Sequence, residues 1–317
     1  MLDTFNRPIT YLRVSVTDLC NQRCRYCMPE VGVCKRSREE MLTEDEMIRA
    51  IETAASLGIK KVRITGGEPL VKPNIVRICE RTAAVEGINE VCVTTNGVRL
   101  LELAKPLRAA GVSRINISLD TLIEDKFSYI TRRNYFNDVM TGIEAAFCAG
   151  FEKIKLNCVL IGGFNDDEIA DFVAITKEHP IDVRFIELMP MYDSGDFGEA
   201  AYLPISAVTE RVPELVPLAA DGGVARRFAL PGAKGEVGLI SPLTDHFCDT
   251  CNRIRLTADG KLKPCLHSPI EIPIKSLDDA AMKDAFAEAI TRKPAHHPLL
   301  SNEHRSEAGR NMNQIGG

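Results

Sequence analysis

Six short apolar runs recur in the first part of the chain, and a segment with helical periodicity follows each of the first five. The runs are rich in Val, Ile and Thr, as buried parallel strands are. They are Leu12–Val16, Val62–Thr65, Val91–Thr95, Ile115–Leu119, Ile154–Leu160 and Val183–Leu188. Helices are predicted near 44–57, 74–85, 99–110, 136–149 and 166–178. Serial βα units predict a parallel sheet. Because a closed barrel has eight such units, we predict an α/β fold with an incomplete (β/α)6 TIM-like barrel.

The rhythm stops after about residue 192, where Gly and Pro become dense. Short strands are predicted at 224–230, 236–240 and 253–257, and the dipeptide Asp259-Gly260 is typical of a hairpin turn. A further helix is predicted from an N-cap at Ser276 to about Arg292. We therefore divide the chain into a partial barrel, 1–200, and a smaller C-terminal α+β extension, 201–317.

Composition narrows the class of protein. Of 317 residues, 45% are hydrophobic and 26% charged, and the formal net charge is −5, which disfavours nucleic acid as a partner. No apolar run is long enough to span a membrane, and the first residues do not resemble a secretory signal. We expect a cytoplasmic protein with neither a membrane nor a nucleic-acid partner. Eleven cysteines in such a chain favour ligands or catalytic thiols over disulfides.

Three cysteines follow the first predicted strand with the spacing Cys20-x3-Cys24-x2-Cys27. Thiolates this close together on one loop can hold a metal ion or an iron–sulfur cluster. Three thiolates leave one iron of a four-iron cluster open to another ligand, and open coordination sites support chemistry. A structural zinc site with its fourth ligand elsewhere is the alternative.

A second triad, Cys248, Cys251 and Cys265, lies in the C-terminal region. Its CxxC part can be redox-active, bind zinc or bind a cluster. The predicted hairpin would return Cys265 to the CxxC, and either His246 or His267 could complete a zinc tetrahedron. The remaining cysteines are predicted to be buried core thiols: Cys34, Cys79, Cys92, Cys148 and Cys158.

Polar or Gly/Pro-rich segments follow five of the predicted strands. They are 17–20, 66–69, 94–97, 118–120 and 187–190. Because chemistry in barrel-like folds lies at the C-terminal ends of the strands, we expect one pocket around the first cysteine loop. Gly66-Gly67 would let the backbone approach a ligand closely.

Basic residues occupy positions inside predicted strands, where an unpaired cation is costly. They are Arg13, Arg63, Lys155, Arg184, Arg253 and Arg255. Alternation places them on one face of their strands, which favours a polyanionic small molecule such as a nucleoside triphosphate. No P-loop is present, so side chains would hold the phosphates. The alternative is that some pair with Glu68, Asp120 or Glu187.

The motif Cys20-x3-Cys24-x2-Cys27 together with Gly66-Gly67-Glu68-Pro69 resembles the radical S-adenosylmethionine (SAM) superfamily. With the second triad, Arg253-x-Arg255 and the terminal Gly316-Gly317, the chain closely resembles the GTP 3′,8-cyclase family (MoaA type) of molybdenum cofactor biosynthesis. The resemblance covers nearly the whole chain, apart from loops near 195–235.

The resemblance implies two [4Fe–4S] clusters and SAM as cofactors. The first cluster would be held by Cys20, Cys24 and Cys27, and the second by Cys248, Cys251 and Cys265. SAM would contact Tyr26, Gly67, Ser118 and Met189. GTP would contact Arg13, Arg63, Thr94, Lys155, Arg253 and Arg255, with Arg184 as a further candidate. Arg253 and Arg255 are also the implied catalytic residues, one of them supplying charge or a proton to the reduced ring.

The implied reaction is that of a lyase, the conversion of GTP to (8S)-3′,8-cyclo-7,8-dihydroguanosine 5′-triphosphate by hydrogen abstraction at C3′ and bond formation to C8. Implied partners are an electron donor, a downstream pterin-forming enzyme that takes the product, and a second copy in a homodimer. In this family the Gly-Gly tail reaches the active site, whereas from the sequence alone it resembles an ordinary disordered terminus. Two rival interpretations are a peptide-modifying radical SAM enzyme with an auxiliary cluster, and a non-catalytic zinc-binding interaction module.

Overall fold

The computed structural model describes residues 1–191, 197, 199–298, 300 and 305–316. All six predicted strands form, with ends that differ by at most three residues from the prediction. They are β1 (Tyr11–Ser15), β2 (Lys61–Thr65), β3 (Glu90–Thr95), β4 (Val112–Ser118), β5 (Ile154–Leu160) and β6 (Ile181–Glu187). They pair in parallel in chain order, as βα units predict.

The five predicted helices of this region also form, and one was missed. They are α1 (Glu44–Ser56), α2 (Ile75–Ala83), α3 (Leu100–Ala109), α4 (Glu124–Thr131), α5 (Phe136–Cys148) and α6 (Ile169–Glu178). The missed helix is α4, which is short and buries only Phe127, Ile130 and Thr131. Its apolar spacing of three residues is too brief to stand out as a helical pattern.

The N-terminus of α1 is fixed by the predicted capping box. The Thr43 hydroxyl accepts a hydrogen bond from the backbone N–H of Glu46 (3.2 Å), and the Glu46 carboxylate accepts one from the Thr43 N–H (2.8 Å). Replacing Thr43 with alanine is expected to lower the free energy of unfolding by about 1 kcal/mol, because one helix N–H loses its partner. Urea denaturation of the cluster-free protein measures this. The exposed Thr291→Ala serves as control, and an equal loss in both variants would contradict a capping role.

Six further strands lie in the C-terminal region. They are β7 (Val216–Pro217), β8 (Arg226–Ala229), β9 (Val237–Ile240), β10 (Arg253–Leu256), β11 (Lys261–Lys263) and β12 (Ile272–Pro273). They join the same sheet, in the order β12-β11-β10-β1-β2-β3-β4-β5-β6-β9-β8-β7. Strand β10 pairs in parallel with β1, and β9 with β6, so the C-terminal region extends the parallel sheet at both edges. The outermost strands of the described sheet do not pair with each other, and the incomplete barrel with a C-terminal α+β extension is confirmed.

Three more helices complete the described part: α7 (Ala207–Arg211), α8 (Asp279–Thr291) and α9 (Met312–Ile315). The predicted N-cap at Ser276 is wrong. Asp278 caps α8 instead, and its side chain accepts a hydrogen bond from the Ala281 N–H (2.8 Å). Ser276 has a φ of 63°, outside the extended conformation that an N-cap adopts.

Two smaller predictions have different outcomes. The hairpin turn at Asp259-Gly260 is confirmed, because β10 and β11 pair antiparallel across it. The prediction that all isolated cysteines are core thiols is wrong for Cys34 and Cys148, which are exposed, whereas Cys79, Cys92 and Cys158 are buried. Among the described helices, none has both the length and the apolar character needed to cross a membrane.

Candidate active site

The first cysteine loop leaves the C-terminal end of β1 and lines a cavity of about 190 Å³ with Cys20, Cys24 and Cys27. The loop is shaped by its own backbone, since the Cys27 N–H donates to the Cys24 carbonyl (2.9 Å). It is also held to the end of α4, where the N–H of Arg23 donates to the Thr131 carbonyl (2.9 Å). The missed helix thus supports the loop that presents the thiols.

The thiol groups of this loop are suited to a cationic iron–sulfur cluster. Burial, with the Glu68 carboxylate nearby, raises the pKa of Cys20 to about 11. Burial, with Cys20 nearby, raises the pKa of Cys27 to about 12, and burial next to Cys27 raises that of Cys24. Three thiolates here would repel one another unless a positively charged group held them. Soft sulfur donors in a buried triad fit an iron–sulfur cluster.

The loop after β2 packs directly against the cysteine loop. The Gly67 N–H donates to the Thr17 carbonyl (2.7 Å), and a Cβ at Gly67 would lie 2.4 Å from the Leu19 carbonyl oxygen. Only glycine fits this close backbone contact. The next residue, Glu68, accepts from the Thr95 hydroxyl (2.7 Å), and burial raises its pKa to about 7.

The predicted convergence of strand ends occurs in the structure. Each of the five segments contributes residues to the wall of the first cavity, among them Cys20, Gly67, Thr94, Ser118 and Met189. Tyr26 also lines it, and its hydroxyl donates to the Asp120 carboxylate (2.7 Å). All four residues predicted to contact SAM are therefore brought together with the first triad.

The second triad lines a larger cavity of about 500 Å³. Cys248 begins a short 3-10 turn, Cys251 ends it, and the β10–β11 hairpin returns Cys265 beside them, as predicted. Burial opposes the thiolate of Cys251, but Arg253 and Lys293 outweigh burial and lower its pKa to about 6.

The histidines near this triad are arranged differently from the zinc alternative considered above. His246 pairs with His297, with Nδ1 and Nε2 2.9 Å apart, whereas the Nδ1 of His267 lies 3.0 Å from the Ser306 hydroxyl. Ligand atoms of His246, Cys248 and His297 lie within 4.8 Å of one another. The pairing of His246 with His297 was not predicted, because the two residues are 51 positions apart.

Arginines cover one wall of the larger cavity. Arg13 pairs in register with Arg255 on one side and with Arg63 on the other, so three neighbouring strands present guanidinium groups on the same face. Arg184, Arg253 and Thr94 line the cavity as well. Eight lysine and arginine side chains line it in all, against a single carboxylate among the described residues: Arg13, Lys61, Arg63, Arg114, Arg184, Arg253, Arg255 and Lys293, with Asp221.

This wall is crowded with positive charge. Burial and the adjacent Arg253 lower the pKa of Arg255 to about 10, and burial beside Arg255 lowers the pKa of Arg13. Burial beside Arg63 lowers that of Arg184. An anionic ligand would relieve this repulsion, so the wall fits the triphosphate predicted from the sequence.

Lys155 stands apart from this wall. Its ammonium pairs with the Asp182 carboxylate on the neighbouring strand, and both line a small separate cavity. Register explains the pairing, because Lys155 and Asp182 face each other across β5 and β6.

Several cavity residues were not predicted. Asn116 and Asn157 lie on β4 and β5 at the same phase as Lys155, and both have a buried side-chain oxygen without a hydrogen-bond partner in the described part. Arg114 and Lys293 also line the larger cavity. The alternation of polar residues along β4 and β5 was the available signal for the asparagines.

The two cavities are joined. They share five lining residues, which are Thr94, Asn157, Ile186, Met189 and Met312. Both cysteine triads therefore face one chamber, as the sequence-based hypothesis requires.

The C-terminal tail closes part of this chamber. Helix α9 lines it with Met312, and the Gly316 carbonyl accepts hydrogen bonds from Arg13 (3.1 Å) and Arg255. The prediction that the tail reaches the site is thus confirmed for Gly316, while Gly317 lies outside the described residues.

Known proteins with the same fold define the class. Residues 14–175 match the radical SAM superfamily, and residues 181–299 match the family described as Molybdenum Cofactor Synthesis C. Streptococcus suis SuiB bound to precursor peptide SuiA is similar, with a TM-score of 0.65 at 13% identity over 92% of this chain and 66% of that one. The enzyme anSMEcpe with bound AdoMet has a TM-score of 0.61 at 13% identity, over 92% of this chain and 80% of its own. These structures share the fold, and the chain belongs to the radical SAM superfamily.

Similarity to curated relatives narrows the class. The GTP 3′,8-cyclases of Alkaliphilus oremlandii (strain OhILAs) and Moorella thermoacetica are each 46% identical, over all of both chains. That of Peptoclostridium acidaminophilum is 47% identical, over all of this chain and 98% of its own. The chain therefore belongs to the GTP 3′,8-cyclase family. The rival interpretations as a peptide-modifying enzyme or a zinc-binding module are wrong.

Proposed function

We propose that the two joined cavities are the active site in which this chain converts GTP to 3′,8-cyclo-7,8-dihydro-GTP, the lyase reaction that begins molybdenum cofactor biosynthesis. One observation carries the proposal. Two buried thiol triads face a single chamber, and the wall between them is formed by arginines. A chamber of this kind can hold two incompletely ligated clusters and a polyanionic nucleotide at once.

The residues fit the family's cofactors, SAM and two [4Fe–4S] clusters. The first triad would hold the cluster that binds SAM, with Tyr26, Gly67, Ser118 and Met189 around SAM itself. The second triad would hold the cluster next to the guanine ring. When bound, these groups supply one-electron cleavage of SAM and the hydrogen abstraction that starts cyclisation.

The chain's own side chains bind and orient the nucleotide. Arg13, Arg63 and Arg255 form a cationic surface for the phosphates, with Thr94 at the junction of the two cavities. Their burial keeps water from competing for the anion and strengthens each charge interaction. Arg253 and Arg255 lie next to the second triad, from which either guanidinium could supply charge to the guanine ring as it is reduced. Lys155 is proposed as a further GTP contact, reached if it exchanges its Asp182 partner for phosphate.

The two regions would divide the work. Residues 1–200 would supply the SAM site, and residues 201–317 the second cluster and part of the substrate wall. We also propose a cytoplasmic enzyme that receives electrons from a separate donor protein, passes its product to a pterin-forming enzyme, and acts as a homodimer. Size-exclusion chromatography with light scattering tests the dimer.

Arg63→Met is expected to weaken GTP binding about tenfold to hundredfold, because a hydrogen bond to a charged group contributes about 1.5–3 kcal/mol. Calorimetric titration of GTP into the anaerobic reconstituted protein measures this. Arg77→Met, on the exposed side of α2 where Arg77 pairs with Glu44, is the matched control and should bind GTP as the unaltered chain does. An unchanged Kd for Arg63→Met would remove this residue from the substrate site.

Anaerobic reconstitution tests the function as a whole. The protein is loaded with iron and sulfide, then given SAM, a reductant and GTP. We expect about eight irons per chain, as two four-iron clusters require, together with formation of 5′-deoxyadenosine and loss of GTP. A colourless protein that contains zinc, with no iron or sulfide, would refute the proposal.

A further inference from the structure

Lys293 is a buried lysine directly beside the second triad. It follows α8, has only 3% of its surface exposed, and lines the larger cavity. Its ammonium donates to the Arg253 carbonyl (2.9 Å) and to the Pro264 carbonyl (3.0 Å). It also hydrogen bonds with the Cys251 thiol. The three donors of the ammonium are therefore all directed at the segment that carries the triad.

The two carbonyls that Lys293 contacts belong to opposite arms of the β10–β11 hairpin. Arg253 is two residues after Cys251, and Pro264 immediately precedes Cys265. A single ammonium thus bridges the two arms beside two of the three thiols. Lengthening either hydrogen bond would change the separation of Cys251 and Cys265.

The charge of Lys293 has no carboxylate partner in the described part of the chain. Among the described residues it makes no salt bridge, although a buried ammonium is costly unless an anion compensates it. The other buried lysine of this hairpin, Lys263, does have one, since it pairs with Glu271 (3.3 Å). The negative group nearest to the Lys293 ammonium is therefore the thiolate of Cys251.

The segment that follows Lys293 is tied to the third thiol. Arg7 donates to the Cys248 carbonyl (2.7 Å), to the Ala295 carbonyl (2.9 Å) and to the Pro294 carbonyl (2.7 Å). The backbone of His297 hydrogen bonds with Cys248. Residues 293–297 therefore contact both ends of the CxxC segment, and Arg7 holds them in place.

We propose that Lys293 is a positioning residue for the second cluster, which fixes the separation of Cys251 and Cys265 and raises the reduction potential of the cluster through its uncompensated charge. This inference rests on the proposed function, because it requires a cluster on the second triad. A cation beside a cluster favours the reduced form, whose charge is more negative, and hydrogen bonds to ligand sulfur act in the same direction.

The experiment isolates the second cluster in the full chain by replacing Cys20, Cys24 and Cys27 with alanine. In this background K293M removes the charge, K293R keeps it, and K263M is the matched control for the loss of a buried lysine from the same hairpin. Iron and sulfide content, the electron paramagnetic resonance spectrum of the reduced cluster and its midpoint potential are measured for each protein.

We expect K293M to lower the midpoint potential, K293R to restore most of the shift, and K263M to leave the potential unchanged. Failure of K293M to hold a cluster that K293R and K263M both hold would support the positioning role equally. An unchanged potential in loaded K293M, the same shift in K263M, or no difference between K293M and K293R would overturn the inference. Absence of a cluster from the background protein itself, with Lys293 intact, would instead refute the proposed function.

Discussion

Replacing Cys265 with serine is expected to abolish GTP cyclisation while SAM cleavage persists. Cys265 belongs to the second triad and lies across the larger cavity, whereas the first triad lines the smaller one. Loss of one of three thiolates should release or distort the second cluster, so that guanine is no longer oriented toward the reacting ribose carbon. We expect cyclisation to fall by more than about a hundredfold, since even indirect supports of a metal site contribute about tenfold to hundredfold.

Chromatography of the anaerobic reaction measures both activities at once, as 5′-deoxyadenosine formed and GTP consumed. Cys148→Ser is the matched control, because Cys148 is an exposed cysteine at the end of α5 and belongs to neither triad. It should behave as the unaltered chain in both assays. If Cys265→Ser lowered SAM cleavage and cyclisation by the same factor, the two triads would not have separate roles.

Gly316→Ala is expected to reduce turnover by more than about tenfold while both clusters are retained. Gly316 has a φ of 67°, where a side chain costs about 1–2 kcal/mol. A Cβ there would also lie 2.2 Å from the Thr65 hydroxyl oxygen. The tail must then move, and its carbonyl would leave Arg13 and Arg255, so the arginine wall would lose a contact that orients it. Deletion of Gly316 and Gly317 should have at least the same effect.

The tail itself offers the control for this variant. Gly309 has a similar φ of 63°, but a Cβ there would meet no atom within 4 Å. Gly309→Ala therefore introduces the backbone strain without the collision. Steady-state kinetics and iron analysis of both variants separate the two effects, and equal turnover in Gly316→Ala and Gly309→Ala would show that the contact with Thr65 is unimportant.

Features that depend on neighbouring residues could be predicted from the sequence. Cys20, Cys24 and Cys27 share one short loop, so their spacing alone indicates a common site. The alternation of Arg13 in β1 and Arg63 in β2 predicts one face, because successive side chains of a strand point to opposite sides. The hairpin at Asp259-Gly260 likewise returns Cys265 to the CxxC by local geometry.

Features that depend on distant segments could not be predicted. The pairing of β9 with β6 and of β10 with β1 brings C-terminal strands to both edges of the barrel, and no local pattern specifies which edge a strand joins. The N-cap of α8 was misplaced by two residues, because Ser and Asp are both good caps and the turn before the helix decides between them.

The sequence by itself determined the βα order, the two thiol triads and the arginines that alternate with buried residues, because each of these follows from spacing along a few residues of chain. Only the tertiary structure decided that Lys155 pairs with Asp182, that Lys293 lies against Cys251, and that Gly316 contacts Arg13. Each of these contacts joins different elements of the chain, so it depends on how the sheet and tail pack around one chamber.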